Sequence, residues 1–268
     1  MKFSRSIIIL FIPLFLLSGC KKSERINSTI ILPEIDEGIN AKDISDEDLM
    51  HVPSIFVKKL QDFKSYKSVT TGTTVASVIG GKVEQNINAV FIKSDYSYLL
   101  NDSHSTMVNT THTAYFHDQK VVYKNNKKSY VTTSLDSYLN EYGTYPMDIA
   151  IEGYTIDAES VIEVFRHTTE ESETYLFGIL FDREKSTNNV KIQMKAFGGL
   201  DREPTFVDNT SVEIEVKKDF TPVSLKLTSR YIAKKILDST CDQEYTVTYS
   251  NFNEEIEIPN LSDVIGKF

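Results

Sequence analysis

Three segments near the C-terminus alternate apolar and polar residues with a period of two, and this constrains the fold more than any other feature. In "SVEIEVKKD", Val212, Ile214 and Val216 alternate with Glu213, Glu215 and Lys217. In "TPVSLKLTSRY", Val223, Leu225 and Leu227 alternate with Ser224, Lys226 and Thr228. In "CDQEYTVTY", Cys241, Tyr245, Val247 and Tyr249 share one side, and Asp242, Glu244, Thr246 and Thr248 share the other. Successive side chains of a strand point to opposite faces, so each segment has one buried and one wet face. Short turn-like links such as "KKDFTP" predict antiparallel neighbours. "EEIEIP" is expected to add a further strand through Ile256 and Ile258.

The N-terminal half carries noisier alternation. Val83, Ile87, Ala89 and Phe91 share a face in "KVEQNINAVFIK", as do Val108, His112, Ala114 and Phe116 in "TMVNTTHTAYFHD". "KVVYKN" reads as a short strand. "SYKSVTTGTTVASV" is poorly patterned, and Gly72 is a candidate bulge. Four segments read as helices. In "SDEDLMHVPSIFVKKLQDFKSY", Ser45 and Asp48 have capping-box-like spacing, Pro53 suits a first turn, and Val52, Phe56, Leu60 and Phe63 form one stripe. "SLDSYLNEYG" has Ser134 as N-cap and Gly143 as stop. "DAESVIEVFRHT" places Ala158, Val161, Ile162 and Phe165 on one helical face. "STNNVKIQMKAFGG" fits a helix through Val190, Met194 and Phe197, or a strand through Val190, Ile192 and Met194; Gly198-Gly199 favours the helix. A large sheet that is apolar on one face needs a cover, and these helices supply it. The expected fold class is α+β: a large curved antiparallel sheet, a half-barrel, covering a few amphipathic helices.

The N-terminus has its own signature. Lys2 and Arg5 precede an apolar run, Ile7–Leu17, interrupted by Pro13. Eleven residues suit a secretory signal core, whereas a spanning helix needs about 20. Leu17-Ser18-Gly19-Cys20 follows, and resembles the lipobox of bacterial lipoproteins. That resemblance implies cleavage before Cys20 and lipidation of its thiol, in preference to a short anchor helix or an ordinary secretory signal. The expected division is a signal peptide at 1–19, a lipidated N-terminus and tether at 20–44, and one α+β domain at 45–268. A flexible tether of this length spans roughly 25–30 Å. Removing the signal takes away two cations and no acid, which moves the net charge from −9 to −11. An acidic chain is repelled by nucleic acid and by anionic headgroups, so neither is an expected partner. Cys241 is then the one remaining cysteine, leaves no internal disulfide, and is expected to be a buried apolar residue.

Local catalytic signatures are missing. The sequence contains no GxSxG elbow and no Gly-rich phosphate loop, and its one SxxK, Ser18-Gly19-Cys20-Lys21, falls on the lipobox. His104, His112 and His117 are the densest histidines, but no HExxH or cysteine partner accompanies them; on a simple strand the first two share a face. "DREKSTNN" and "NDSHST" lack the spaced acids of a calcium loop. The expectation is a non-enzymatic protein with no metal site and no cofactor, a hydrolase with dispersed residues being the reading an activity screen would test.

The aromatic content is distinctive: 14 tyrosines, 15 phenylalanines and no tryptophan. Tyr231, Tyr245 and Tyr249 fall on the face expected to be buried, together with Ser229 and Gln243. A packed core with tyrosine hydroxyls at its rim and a cavity with apolar walls both account for this. The lipobox, the acidic tether, the helix leading into "FKSYKS" and the strands ending in "YTVTYSNFNEEIEIPN" together resemble lipoproteins of low-GC Gram-positive bacteria with the LolA/LppX-like fold. That resemblance implies an antiparallel half-barrel closed over helices, with an apolar ligand between them, at the outer face of a bacterial cell membrane. The candidate ligand wall is Leu225, Leu227, Tyr231, Tyr245, Val247 and Tyr249 from the sheet, faced by Phe56, Leu60, Ile162 and Phe165 from helices. Expected partners are the membrane, through lipid on Cys20, and an apolar or amphipathic ligand. The alternative is a solid-core module that contacts another envelope protein.

Overall fold

The alternating segments pair into one antiparallel sheet. The computed structural model describes residues 39–77, 81–93, 95–105, 109–126, 128–143, 154, 156–167, 173–198, 200, 202–234 and 238–268. The expected signal peptide, Cys20 and most of the expected tether lie outside these residues.

Two meanders make up the sheet. The first runs through β1 (Ser65–Ala76), β2 (Lys82–Ile92), β3 (Ser97–Ser105), β4 (Asn109–His117), β5 (Lys120–Asn125) and β6 (Val131–Ser134). The second contains β7 (Val161–Arg166), β8 (Thr174–Phe181), β10 (Thr210–Lys217), β11 (Pro222–Lys234) and β12 (Asp238–Ser250), with β9 (Thr205–Phe206) paired beside β11. The strand order is β6-β5-β4-β3-β2-β1-β12-β11-β10-β8-β7. First and last strands pair with each other, Lys67 opposite Ser250 through Ala76 opposite Cys241, so the meanders fuse at the centre.

Among the described residues, three α-helices accompany the sheet: α1 (Val52–Asp62), α2 (Leu135–Tyr142) and α3 (Asn188–Gly198). Pro53 sits in the first turn of α1, where its missing N–H costs nothing. Ser45 and Asp48 bond each other one turn upstream, and a short 3-10 turn, Leu49–His51, leads into α1. The N-cap Ser134 of α2 accepts from Ser137 N, and Gly143 ends the helix with φ +65°, its N–H on Leu139 O. Gln193 of α3 donates to the Gly143 carbonyl at 2.9 Å, which ties the two helices together.

Register assigns the faces. Tyr66, Ser68, Thr70 and Gly72 of β1 share the inner face with Tyr249, Val247 and Tyr245 of β12, and with Phe91, Ala89, Ile87 and Gln85 of β2. The pattern continues outward through Leu225, Leu227, Ile214, Val212, Phe177 and Ile179 on one side. On the other it continues through Leu99, Asn101, His112, Ala114 and Phe116. The Val52, Phe56 and Leu60 stripe of α1 is fully buried against the first group, with Phe56 edge-on to Tyr249 at 5.8 Å. Tyr138 and Tyr142 of α2 pack on the second. Packing begins upstream of Ser45, because Ala41 and Ile44 are already buried in the first cluster. The α+β class, the large antiparallel sheet and its few covering helices are as the alternation requires.

Four local expectations are corrected. The segment "DAESVIEVFRHT" forms the edge strand β7, with no helix. Asp157 accepts from the backbone N–H of Glu159 and Ser160 in a turn, and a bulge between Val161 and Glu163 turns both Val161 and Val164 inward. A bulge thus imitates a helical spacing of three. Ile162 and Phe165 consequently stand exposed, at 46% and 39%. "EEIEIP" does not join the sheet. It crosses the outer face, where Ile258 and Val264 cover Val90, Tyr98, Tyr115 and Val122, and Tyr115 OH donates to the Pro259 carbonyl at 3.0 Å. Gly72 marks no bulge, since register runs unbroken through it; a Cβ there would lie 1.9 Å from the Tyr245 ring, so the glycine makes room for that ring. His104 and His112 occupy opposite faces because they lie on different strands, with Asn101 opposite His112 and Asn109 opposite His104.

Candidate functional site on the inner sheet face

The inner face carries two apolar fields separated by a polar seam. The first field contains Leu225, Leu227, Val247 and Tyr249 beneath α1, with Tyr231 farther along β11 against Phe206. The second contains Ala89, Leu99, Ala114, Phe116 and Val121 beneath α2. Helix α3 bridges the junction, with Val190 and Met194 in the first cluster and Ala196 against the second.

Neutral hydrogen-bonding groups fill the seam. Tyr245 OH donates to Gln85 Oε1, Gln85 Nε2 donates to Asn101 Oδ1 at 2.9 Å, and Ser103 Oγ donates to the same oxygen at 3.3 Å. Ser229 reaches Gln243 at 3.4 Å. Burial pushes the Tyr245 and Tyr231 hydroxyls upward, so both stay protonated at any ordinary pH. Between the two fields sit Ser68, flanked by Tyr249 and Ala89, and Thr70, flanked by Val247 and Ile87; they are 1% and 4% exposed. Neither hydroxyl has a hydrogen-bond partner among the described residues. Leaving a buried hydroxyl unpaired costs roughly 1–3 kcal/mol.

A second network lies beside α2. His112 Nε2 is 2.6 Å from Tyr138 OH, and His112 Nδ1 is 2.6 Å from Asn125 Oδ1. Asn125 Nδ2 donates to Tyr142 OH at 2.9 Å. With the Asn125 amide oriented that way, Nδ1 carries the imidazole proton and Nε2 accepts from Tyr138. Burial lowers the His112 pKa to about 4, against a smaller upward pull from Asn125. The arrangement ties β4 and β5 to α2 through side chains. Cys241 is 5% exposed, and burial raises its thiol above the usual range.

Eight of the ten candidate wall residues come together here. Leu225, Leu227, Tyr231, Tyr245, Val247 and Tyr249 line the sheet, and Phe56 and Leu60 face them from α1. Ile162 and Phe165 do not, since they point outward from β7. Ser68, Thr70, Gln85 and Asn101 were not singled out from sequence. Their own strands alternate weakly, and only pairing with β12 shows which face they occupy. Two hollows lie outside this face. One of about 500 Å³ involves Thr71, Glu84, Asp102, His104 and Glu244. The other, of about 410 Å³, lies between Ile92 and Tyr96 and the C-terminal Ile256 and Leu261. Among the described residues no three His, Cys, Asp or Glu side chains gather as a metal site, and no helix is long and apolar enough to cross a membrane.

No protein-family model and no curated protein matches this chain. Solved structures do. LprF from Mycobacterium bovis aligns over 80% of this chain and 97% of its own, at 10% identity and a TM-score of 0.41. A LolA superfamily protein from Nitrosomonas europaea aligns over 79% and 96%, at 11% identity and a TM-score of 0.31. A DUF1329 family protein from Desulfovibrio piger aligns over 81% and 95%, at 9% identity and a TM-score of 0.29. Likeness at this level carries no functional assignment.

Proposed function

We propose that this protein is a non-enzymatic lipoprotein, held at the outer face of a bacterial cell membrane through lipid on Cys20, that seats an apolar or amphipathic ligand between the inner sheet face and the helices. The observation that carries this reading is the pair Ser68 and Thr70. Two buried hydroxyls without partners lie where two helix-covered apolar fields meet. A face packed for stability alone has no reason to bear that cost, whereas an ester, amide or hydroxyl of a bound molecule would offset it. The apolar body of the ligand would lie along Leu225, Leu227, Val247 and Tyr249, and its free energy would come from burial of apolar surface.

Two measurements test the reading. Full-length protein is labelled in cells with an alkyne analogue of palmitate, and Cys20→Ser is expected to lose both the label and membrane attachment. The protein is then extracted, and its lipids are identified by mass spectrometry. About one lipid-like molecule per chain beyond the anchor is expected, and Leu227→Asp should lose it. If the wild type carries none and binds no fluorescent fatty acyl probe, the carrier reading fails and the solid-core interaction module replaces it. If folded Leu227→Asp carries lipid normally, the wall is misplaced.

A further inference from the structure

The sheet positions on the inner face are almost all neutral. Following register from β7 to β5, the one strand side chain with a formal charge at neutral pH is Arg166, opposite Phe177 on the edge strand. Arg166 donates through Nη2 to the Ile44 carbonyl, and its guanidinium carbon lies 5.9 Å from the Phe177 ring centroid. Its Nε is buried and has no hydrogen-bond partner, and no carboxylate among the described residues forms an ion pair with it. A second buried nitrogen without a partner, His51 Nδ1, belongs to the 3-10 turn that packs against the same strand. In a chain with nine more acids than bases this is an unusual place for an uncompensated cation. The buried Nε is left without an acceptor, and an anion at this half-buried guanidinium would supply one.

We infer that the polar end of the ligand is anionic, a carboxylate or a phosphate, and that Arg166 holds it at the β7 rim while the acyl chain runs inward over Phe177, Ile214 and Leu225. This inference rests on the carrier reading and names the class of ligand. Arginine suits the task because its planar donors match a carboxylate or phosphate. The half-buried side chain lets a head group remain in reach of water.

The test uses the full-length protein in a non-ionic amphipol at pH 8, with parinaric acid and its methyl ester as fluorescent probes. The wild type should bind the acid about tenfold more tightly than the ester, the scale of one charge-assisted hydrogen bond. Arg166→Gln should bind both alike, and Arg166→Lys should keep part of the preference. Circular dichroism confirms that each variant is folded. Displacement of the acid by laurate and by dodecyl phosphate then separates a free fatty acid from a phosphate head group. Equal binding of acid and ester by the wild type overturns the anionic head and leaves the carrier reading standing. A preference that survives in Arg166→Gln overturns the role of Arg166. If neither probe binds and no lipid co-purifies with the wild type, the carrier reading itself has failed.

Discussion

Acidification should destabilise this protein through a single buried imidazole. His112 lies at the centre of the chain Tyr138–His112–Asn125–Tyr142, 4% exposed, and burial lowers its pKa to about 4. In the unfolded chain the same group titrates near 6.5. Below 6.5 the unfolded state therefore binds a proton that the folded state refuses. Stability from this residue is complete above pH 6.5, declines as pH falls, and is gone below about pH 4. The total is the free energy of moving the proton affinity from 6.5 to about 4, or about 3 kcal/mol. Inside that window the slope should approach about 1.4 kcal/mol per pH step of one. Carboxylates such as Asp182, held low by the backbone N–H groups of Lys185 and Glu184, act at more acidic pH. Urea unfolding from pH 8 to pH 4, followed by circular dichroism, reads the slope. The histidine ring proton of His112 in an NMR titration reads the folded pKa. His112→Gln is expected to be less stable at pH 7 but to have a flatter profile between pH 6.5 and 4. A wild-type profile as flat as that of the variant, or a ring that titrates near 6.5 in the folded protein, would refute the reasoning.

The other predictions concern packing. Phe56→Ala should destabilise the fold by roughly 3–5 kcal/mol in urea unfolding, because the ring is fully buried between α1 and Tyr249. Gly72→Ala should cost roughly 1–3 kcal/mol, since its Cβ would sit 1.9 Å from the Tyr245 ring and 2.5 Å from the Glu244 carbonyl. Thr70→Val, which keeps the shape and removes the unpartnered hydroxyl, should leave the lipid-free protein as stable or stabilise it by about 1 kcal/mol in urea unfolding. Cys241 should react with a thiol reagent only at the rate of unfolding, as monitored by absorbance with and without denaturant.

Much of the candidate wall was legible from strands with clean alternation. Leu225, Leu227, Val247 and Tyr249 belong to β11 and β12, whose period-two pattern assigns their face without knowledge of partners. Phe56 and Leu60 follow from a helical stripe that begins at a proline. Ile162 and Phe165 were misplaced because one bulge in β7 spaces two buried valines as a helix would. Ile256 and Ile258 alternate correctly, yet their segment lies across the outer face as a strap, which a pattern of side chains does not distinguish from a paired strand.

What the sequence determined by itself is the class of structure: local periodicity sets which residues must be hidden, and hiding them requires a large sheet with helices on one side. What the tertiary structure decided is which polar residues are hidden with them. Ser68, Thr70, Gln85, Asn101 and Arg166 reach the inner face through registers between strands as distant in sequence as β1 and β12. A polar side chain costs nothing to leave in water, so its position carries no local signal. Only closure of the sheet buries it, and burial is what turns an ordinary hydroxyl or guanidinium into a group that needs a partner.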